Sequence, residues 1–251
     1  MKEPRIIYED AFFLVVDKPA GMVVNRASSV GEEKTIQDWI ESRPEWKGQQ
    51  LDHNEASVSY FVRRSGVVHR LDKETSGVMV IAKTAATFSH LLQQFATRQV
   101  KKTYIALVHG LLQPKQGIVR LPLARCRQDR QRFSVAVSGK LAETSWQVIR
   151  FYQRCVKPDL QTKGYQGFSL LEVEPQTGRT HQIRVHFSFL GYPVVGDERY
   201  AGRKSRLDRQ WCPRQFLHAK ELDFIHPVSA KRVEFNAKLP DDLRAALSFL
   251  E

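Results

Sequence analysis

Short apolar runs separated by turn residues recur along the chain and predict β-strands. The first two runs cover residues 6–8 and 12–16, and the breaker Lys18-Pro19-Ala20-Gly21 follows them. Later runs either alternate between apolar and polar residues or stay apolar throughout, as buried strands do. They predict strands over residues 78–82, 102–110, 117–123, 144–152, 168–174, 221–224 and 232–239.

Helical spacing of apolar residues occurs in fewer segments. It predicts helices over residues 35–43, 84–97 and 180–190, with Gly191 at the position of a C-terminal cap, and a final helix that begins at Pro240-Asp241-Asp242. Residues 44–65 have little periodicity at first and predict a loop or insertion that leads into a strand.

Strands come in runs with helices scattered between them, rather than in strict alternation with helices. This order predicts an α+β fold with a largely antiparallel or mixed central sheet flanked by helices. The 251 residues contain no internal repeat, low-complexity tract or clear linker, so we predict a single domain over residues 1–251.

The composition, 42% hydrophobic and 26% charged, is that of a globular protein rather than a disordered or membrane-embedded one. We find no signal peptide and no apolar run long enough to span a membrane, so we expect a cytoplasmic protein that does not contact membranes. Cys126, Cys155 and Cys212 are far apart, which argues against a disulfide framework or a Cys-x-x-Cys zinc site. His181 and His186 lack the HExxH arrangement, so we expect no metal.

The formal net charge of +12 points first to nucleic acid as the partner, because each neutralised phosphate releases counterions. Two segments, residues 120–132 and 199–214, concentrate arginine, and the second interleaves Tyr200 and Trp211. Such a charge run is usually a solvated surface. Arginine with nearby aromatic residues fits RNA better, because guanidinium groups match phosphates and stack on bases.

One acidic residue invites a chemical role. Asp72 lies within VHRLDKETSG (68–77), between basic residues. An aspartate beside Thr, Ser and Gly most often shapes a turn or caps a helix, and local chemistry alone favours that role. A lone carboxylate does not fit an ordinary glycosidase, which needs a second carboxyl group. The chain has no GxxxxGK[ST], GxGxxG or GxSxG motif, so we expect no nucleotide cofactor and no serine nucleophile.

The segment that holds Asp72 is one of five elements that occur in order. They are YEDAFFLVVDKPAGMVV (8–24), VHRLDKETSGVMVIAKT (68–84), VKKTYIALVHG (100–110), PQTGRTHQIRVHFSFLGYPVVGDERY (175–200) and RQFLHAKELDFIHP (214–227). Together they resemble the RluA-type family of RNA pseudouridine synthases over almost the whole chain. The HRLDxxTSG element matches at every specified position, and GRTHQIRVH is nearly as diagnostic. The resemblance implies a pseudouridine-synthase-like fold with an RNA-binding cleft.

The resemblance also implies roles for individual residues in a reaction that needs no cofactor. Asp72 would be the catalytic carboxylate, acting as nucleophile or base, with Thr75, Ser76 and Gly77 shaping its turn. Arg184 would pair with Asp72, Tyr104 would stack on the extruded base and help remove the C5 proton, and Leu217 would pack beneath the site.

Further arginines are expected to contact the RNA, which would be ribosomal or transfer RNA. Arg70 flanks Asp72 and would fill the space left by the extruded base or hold a phosphate. Arg179 lies in the same element as Arg184 and would support a loop or contact a phosphate. The remaining predicted RNA-binding residues come from the first arginine-rich segment: Arg125, Arg127, Arg130 and Arg132. Because the family pattern begins within the first ten residues, we expect no S4 RNA-binding domain before it. A monomer is the default expectation.

Two other functions share some of these features. A catalytically silent RNA-binding or RNA-chaperone protein could keep the same fold, and a base-excising glycosylase would use similar base extrusion but release free uracil. The presence of Asp72, Tyr104 and Arg184 together favours the synthase.

Overall fold

A computed structural model describes residues 2–26, 33–46, 56–156 and 165–251. The chain divides into two compact units, which we call the N-unit and the C-unit. The N-unit contains Met1–Lys101 and Lys220–Lys238, and the C-unit contains Lys102–Ala219 and Leu239–Glu251.

The N-unit is built on antiparallel strands. Strand β2 (Phe13–Lys18) pairs with β1 (Arg5–Glu9) on one side and with β3 (Ser76–Ala82) on the other. Every residue of β3 is buried. The unit also holds helices α1 (Ile36–Glu41), α2 (Ala56–Arg63) and α3 (Ala85–Ala96).

The N-unit also contains an antiparallel pairing between β9 (Leu217–Ile225) and β10 (Arg232–Asn236). Strand β10 pairs with the later part of β9, whose first residues belong to the C-unit.

The C-unit contains an antiparallel array in the order β4, β8, β7, β5, β6. Its strands are β4 (Lys101–His109), β5 (Gln116–Arg125), β6 (Phe133–Val135), β7 (Lys140–Tyr152) and β8 (Phe168–Pro175). Helices α4 (Gln182–Phe189), α5 (Lys204–Asp208) and α6 (Asp241–Leu247) accompany these strands. Helix α4 packs its buried Ile183 and Phe187 against apolar residues of β4 and β8.

The predicted α+β class is confirmed, and each predicted strand and helix outside residues 44–65 overlaps an observed one. Helix α1 begins with a capping box, in which Thr35 and Asp38 are bonded reciprocally. Gly191 follows α4 at φ +87°, as expected of a residue just beyond a helix end. Strand β6 and helix α5 were not predicted, since both are too short to show a period.

Within residues 44–65, residues 44–46 form no helix or strand, as predicted, but the predicted strand is wrong because residues 56–63 form helix α2. Phe61 is fully buried there, with its ring centroid 5.2 Å from that of Trp46 and 5.7 Å from that of Phe88. This tertiary packing overrides the strand preference of the local β-branched and aromatic residues. Residues 47–55 lie outside the described part of the chain.

Two features that would change the functional class are missing from the described ranges. Within them, no helix is both long and apolar enough to cross a bilayer. Nor do those residues bring together three His, Cys, Asp or Glu side chains in a group that could hold a metal ion.

Candidate active site

Asp72 opens a turn immediately before β3. The backbone N–H of Thr75 donates to the carbonyl of Asp72 at 3.0 Å, which closes the turn, and the Asp72 side chain is half-buried. Gly66 precedes this segment at φ +72°, where a Cβ atom would lie 2.1 Å from the carbonyl oxygen of Ala82. Only glycine allows the chain to pass so close to the end of β3, so the approach to Asp72 is fixed by the backbone.

A buried lysine holds the same turn. Lys18 is fully buried, and its Nζ donates to the carbonyls of Pro19 at 2.7 Å, Met22 at 2.8 Å and Lys73 at 3.0 Å. The backbone N–H of Gly21 also donates to the carbonyl of Lys73, at 2.9 Å. The segment after β2 is therefore fastened to the residue next to Asp72. From the sequence, Lys18 stood out only as part of the breaker segment Lys18-Pro19-Ala20-Gly21.

The two residues before Leu71 have different environments. The ring of His69 stacks on Phe95 with centroids 4.8 Å apart, and its Nε2 accepts a hydrogen bond from the Val80 N–H at 3.0 Å. His69 is thus tied into the N-unit, whereas the side chain of Arg70 is exposed. The exposure of Arg70 is compatible with its expected contact with RNA.

Arg184 lies on α4 in the C-unit and is only 5% exposed. Its Nε donates to Asp197 Oδ2 at 2.7 Å and its Nη2 to Asp197 Oδ1 at 2.9 Å. Asp197 is fully buried, and its Oδ1 also accepts the backbone N–H groups of Arg199 at 3.0 Å and Tyr200 at 3.2 Å. This carboxylate neutralises and orients the guanidinium. Sequence reasoning missed Asp197, which VVGDERY presents as one acidic residue beside another.

The turn that carries Asp197 is itself braced from within the C-unit. The N–H of Gly196 donates to Asp208 Oδ2 at 2.9 Å, and Asp208 is fully buried. His109 Nε2 and the Tyr165 hydroxyl also bond to this carboxylate, each at 2.9 Å. The backbone before Asp197 therefore has little freedom.

Tyr104 and Leu217 meet in the apolar cluster that α4 packs against. Tyr104 is half-buried on β4, opposite Val173 of β8, and Leu217 is buried at the start of β9. Ile183, the neighbour of Arg184 in sequence, belongs to the same cluster. The C-unit thus gathers Tyr104, Leu217 and the helix of Arg184, while Asp72 belongs to the N-unit.

His186, two residues beyond Arg184 on α4, is a structural residue. Its Nδ1 is 2.9 Å from the Thr144 hydroxyl and its Nε2 is 3.4 Å from the Leu121 carbonyl. Burial lowers the pKa of His186, and the hydrogen bond to Leu121 only partly opposes this. The neutral ring therefore joins α4 to β5 and β7.

Four of the arginines predicted to bind RNA lie at the end of β5 and in the turn before β6, residues 125–132, which we call the arginine loop. The guanidinium of Arg125 donates to the Arg130 carbonyl at 3.1 Å and lies over the Phe133 ring at 5.2 Å. Arg199, from the second arginine-rich segment, donates to the Gln131 carbonyl at 3.2 Å. All four arginines of the loop, Arg125, Arg127, Arg130 and Arg132, are exposed to solvent, and so is Arg179. The two segments therefore meet in the C-unit.

Within the C-unit, exposed arginines beside aromatic rings are typical of a protein that binds RNA. The family model described as RNA pseudouridylate synthase matches residues 12–189. The chain belongs to this family, which isomerises uridine to pseudouridine in RNA. The matched range contains Asp72, Tyr104 and Arg184 but ends before Leu217.

Individual relatives agree with the family assignment. The chain is 37% identical over 238 residues to an uncharacterized RNA pseudouridine synthase, YlyB, of Bacillus subtilis, covering 95% of this chain and 70% of that protein. It is 37% identical to ribosomal large subunit pseudouridine synthase D of Zymomonas mobilis, covering 98% and 72% of the two chains. Among solved structures, human RNA Pseudouridylate Synthase Domain Containing 1 superposes with a TM-score of 0.68 at 26% identity, covering 97% and 87%.

Proposed function

We propose that this chain converts uridine to pseudouridine in a structured RNA, with large-subunit ribosomal RNA as the first candidate and transfer RNA as the alternative, and that Asp72 is the catalytic carboxylate. The observation that carries the proposal is the family match across Asp72, combined with the fixed turn on which Asp72 stands. The name of the Zymomonas mobilis relative supports ribosomal RNA as the substrate. The enzyme acts in the cytoplasm as a monomer, without a metal or cofactor.

The proposed reaction breaks the N1–C1′ bond of a uridine and forms a C5–C1′ bond to the same base. C5 loses a proton and N1 ends with one, so the atoms balance without a redox change. Asp72 acts on the nucleotide as nucleophile or base, and its half-buried position allows both access and a reduced dielectric. Tyr104 provides a ring for the extruded base to stack on and a hydroxyl near it.

The buried arginine supplies a guanidinium group of fixed geometry. Arg184 is proposed to orient Asp72, and the Asp197 fork at 2.7 and 2.9 Å limits the rotamers that its guanidinium can adopt. Leu217 is proposed to pack beneath the base. A hydrogen-bond donor that is already oriented needs no reorganisation during the reaction.

RNA affinity is proposed to come from exposed arginines. Arg70 flanks Asp72 on the N-unit, and Arg179 of the C-unit is exposed although its Nε donates to the Leu141 carbonyl at 3.2 Å. The arginine loop supplies the rest of the positive charge. Guanidinium groups that remain exposed in the free protein can each neutralise a phosphate with little reorganisation.

The catalytic assignment is tested with Asp72→Asn on RNA labelled with tritium at C5 of uridine, because product formation releases the label. We expect no release, while RNA affinity stays within about two-fold because the change removes a charge but little volume. Glu74→Gln, which removes a carboxylate from the same turn, is the matched control and should turn over near the wild-type rate. Turnover by Asp72→Asn near that rate would show that another group performs the reaction.

The substrate is tested with purified large-subunit ribosomal RNA and bulk transfer RNA, followed by pseudouridine mapping. Product in ribosomal RNA supports the proposal, and product in transfer RNA alone would replace that substrate. RNA binding by the wild-type chain without product in either RNA would favour the silent RNA-binding protein. Release of free uracil would favour the glycosylase.

The arginine loop is tested through the salt dependence of RNA affinity. Removal of one phosphate-binding arginine should reduce the slope of log affinity against log salt by about 1. Arg127→Ala and Arg130→Ala together should therefore flatten the slope. Arg120→Ala is the control, because that exposed arginine pairs with Glu143 at 2.8 Å. An equal slope in both variants would make the arginine loop only a solvated surface.

A further inference from the structure

Tyr200 connects two parts of the C-unit that the proposed function keeps separate. It is 8% exposed and lies three residues after Asp197. Its ring has the guanidinium carbon of Arg184 at 5.1 Å and that of Arg132, at the end of the arginine loop, at 5.4 Å. One aromatic ring thus contacts both a buried arginine of the proposed site and an arginine proposed to bind RNA.

Hydrogen bonds join the same two parts through the polar atoms of Tyr200. The hydroxyl accepts the backbone N–H of Phe133, the first residue after the arginine loop, at 2.9 Å. The backbone N–H of Tyr200 donates to Asp197 Oδ1 at 3.2 Å, and Asp197 holds Arg184 through its fork. The connection from Phe133 to the Arg184 guanidinium therefore runs through hydrogen bonds and one rigid aromatic residue.

A second residue that contacts the Tyr200 hydroxyl is held in a strained conformation. His181, at the N-terminus of α4, has φ +56°, which is unfavourable for a residue with a Cβ atom. Its Nδ1 lies 2.8 Å from the Tyr200 hydroxyl, and its ring meets those of Tyr200 and Phe133 edge-on at 5.7 and 5.8 Å. Removing the hydroxyl would free both the end of the arginine loop and the start of the helix that carries Arg184.

We propose that Tyr200 is a positioning residue that couples docking of RNA on the arginine loop to the placement of Arg184. RNA phosphates that bind the arginine loop restrict the positions of Phe133 and Arg132. Because Tyr200 contacts both of these residues, its own position is then restricted, and with it those of Asp197 and Arg184. The inference rests on the proposed roles of Arg184 and the arginine loop. It adds that correct RNA contacts raise the rate of the chemical step as well as the affinity.

The test is a double-mutant cycle between Tyr200→Phe, which removes only the hydroxyl, and the loop variant Arg127→Ala/Arg130→Ala, whose side chains are distinct from those that contact Tyr200. Affinity and the single-turnover rate at saturating RNA are measured for each protein. In the wild-type background, the loop variant should lower the rate about ten-fold in addition to weakening binding. In the Tyr200→Phe background, it should weaken binding as before but lower the rate less than about two-fold further.

Tyr152→Phe is the matched control, because Tyr152 is also buried in the C-unit with an arginine, Arg150, 4.9 Å from its ring. Its cycle with the loop variant should be additive in rate and in affinity. A purely structural role of Tyr200 would lower the rates of all variants by a constant factor, so that the Tyr200 cycle would be additive. An additive cycle with an active wild type would overturn this inference but leave the proposed function standing. If the wild type forms no pseudouridine, both the proposed function and this inference fail. Should Tyr200→Phe not fold, His181→Gln enters the same cycle and is judged by the same additivity.

Discussion

Replacement of Lys18 by methionine tests the idea that one buried ammonium group stabilises the turn of Asp72. The change keeps the volume of the stem and removes every donor of Nζ. The carbonyl of Lys73 keeps the Gly21 N–H, but those of Pro19 and Met22 lose the ammonium that binds them at 2.7 and 2.8 Å. A buried acceptor left without its donor costs about 1–3 kcal/mol. One such loss at buried Met22, with a smaller one at half-buried Pro19, predicts a decrease of about 3 kcal/mol in the free energy of unfolding.

Urea denaturation followed by circular dichroism measures this loss, and Lys73→Met provides the comparison within the same turn. The Lys73 side chain is 45% exposed and its ammonium pairs with Glu33 at 2.8 Å, so its removal should cost less than about 1 kcal/mol. A loss from Lys18→Met no greater than that from Lys73→Met would refute the reasoning. It would mean that water satisfies the two carbonyls as well as the ammonium does.

Three further predictions follow from buried groups of the C-unit. The asparagine of Asp197→Asn cannot accept both bonds of the Arg184 fork, so the free energy of unfolding should fall by about 3 kcal/mol and the single-turnover rate at least ten-fold, with RNA affinity nearly unchanged. An unaltered rate would exclude a positioning role of Asp197. Because burial lowers the pKa of His186 from 6.5, folding stability should fall as the pH drops below that value. Urea titration should show a smaller fall in His186→Gln, and equal pH profiles of the two proteins would contradict the prediction. Burial, reinforced by Asp208, raises the pKa of Cys212 to about 12, so a thiol reagent should react first with half-buried Cys126. The fast phase of that reaction should vanish in Cys126→Ser but not in Cys212→Ser.

The strands and longer helices were predictable because burial of one face imposes a period on the sequence. The continuously apolar run of β3 and the spacing of Phe88 and Leu91 in α3 are direct signs of that burial. Helix α2 was not predictable for the opposite reason. Its eight residues bury only Phe61 and place only Val58, Phe61 and Val62 at helical spacing, which is too short a stripe to separate a helix from a strand, so contacts with distant aromatic rings select the helix.

The candidate site was predictable only where residue order carries the signal. The segment around Asp72 and the element around Arg184 could be recognised from their residues alone. The residues that hold them could not, because Lys18 looks like any lysine beside a proline, and Asp197 is followed directly by Glu198. Which of these charges is buried depends on long-range packing, and the chain shows it only when folded.

Burial sets two arginines apart from the exposed ones that composition counts with them. Arg184 and Arg214 are buried and held by the carboxylates of Asp197 and Asp242, with shortest distances of 2.7 and 2.6 Å. A guanidinium so neutralised contributes fixed geometry but little free charge for phosphates. The arginine loop remains exposed, so its charge stays available to a polyanion. The net charge of +12 therefore argues for RNA binding through the exposed group, while any catalytic use of arginine depends on the buried one.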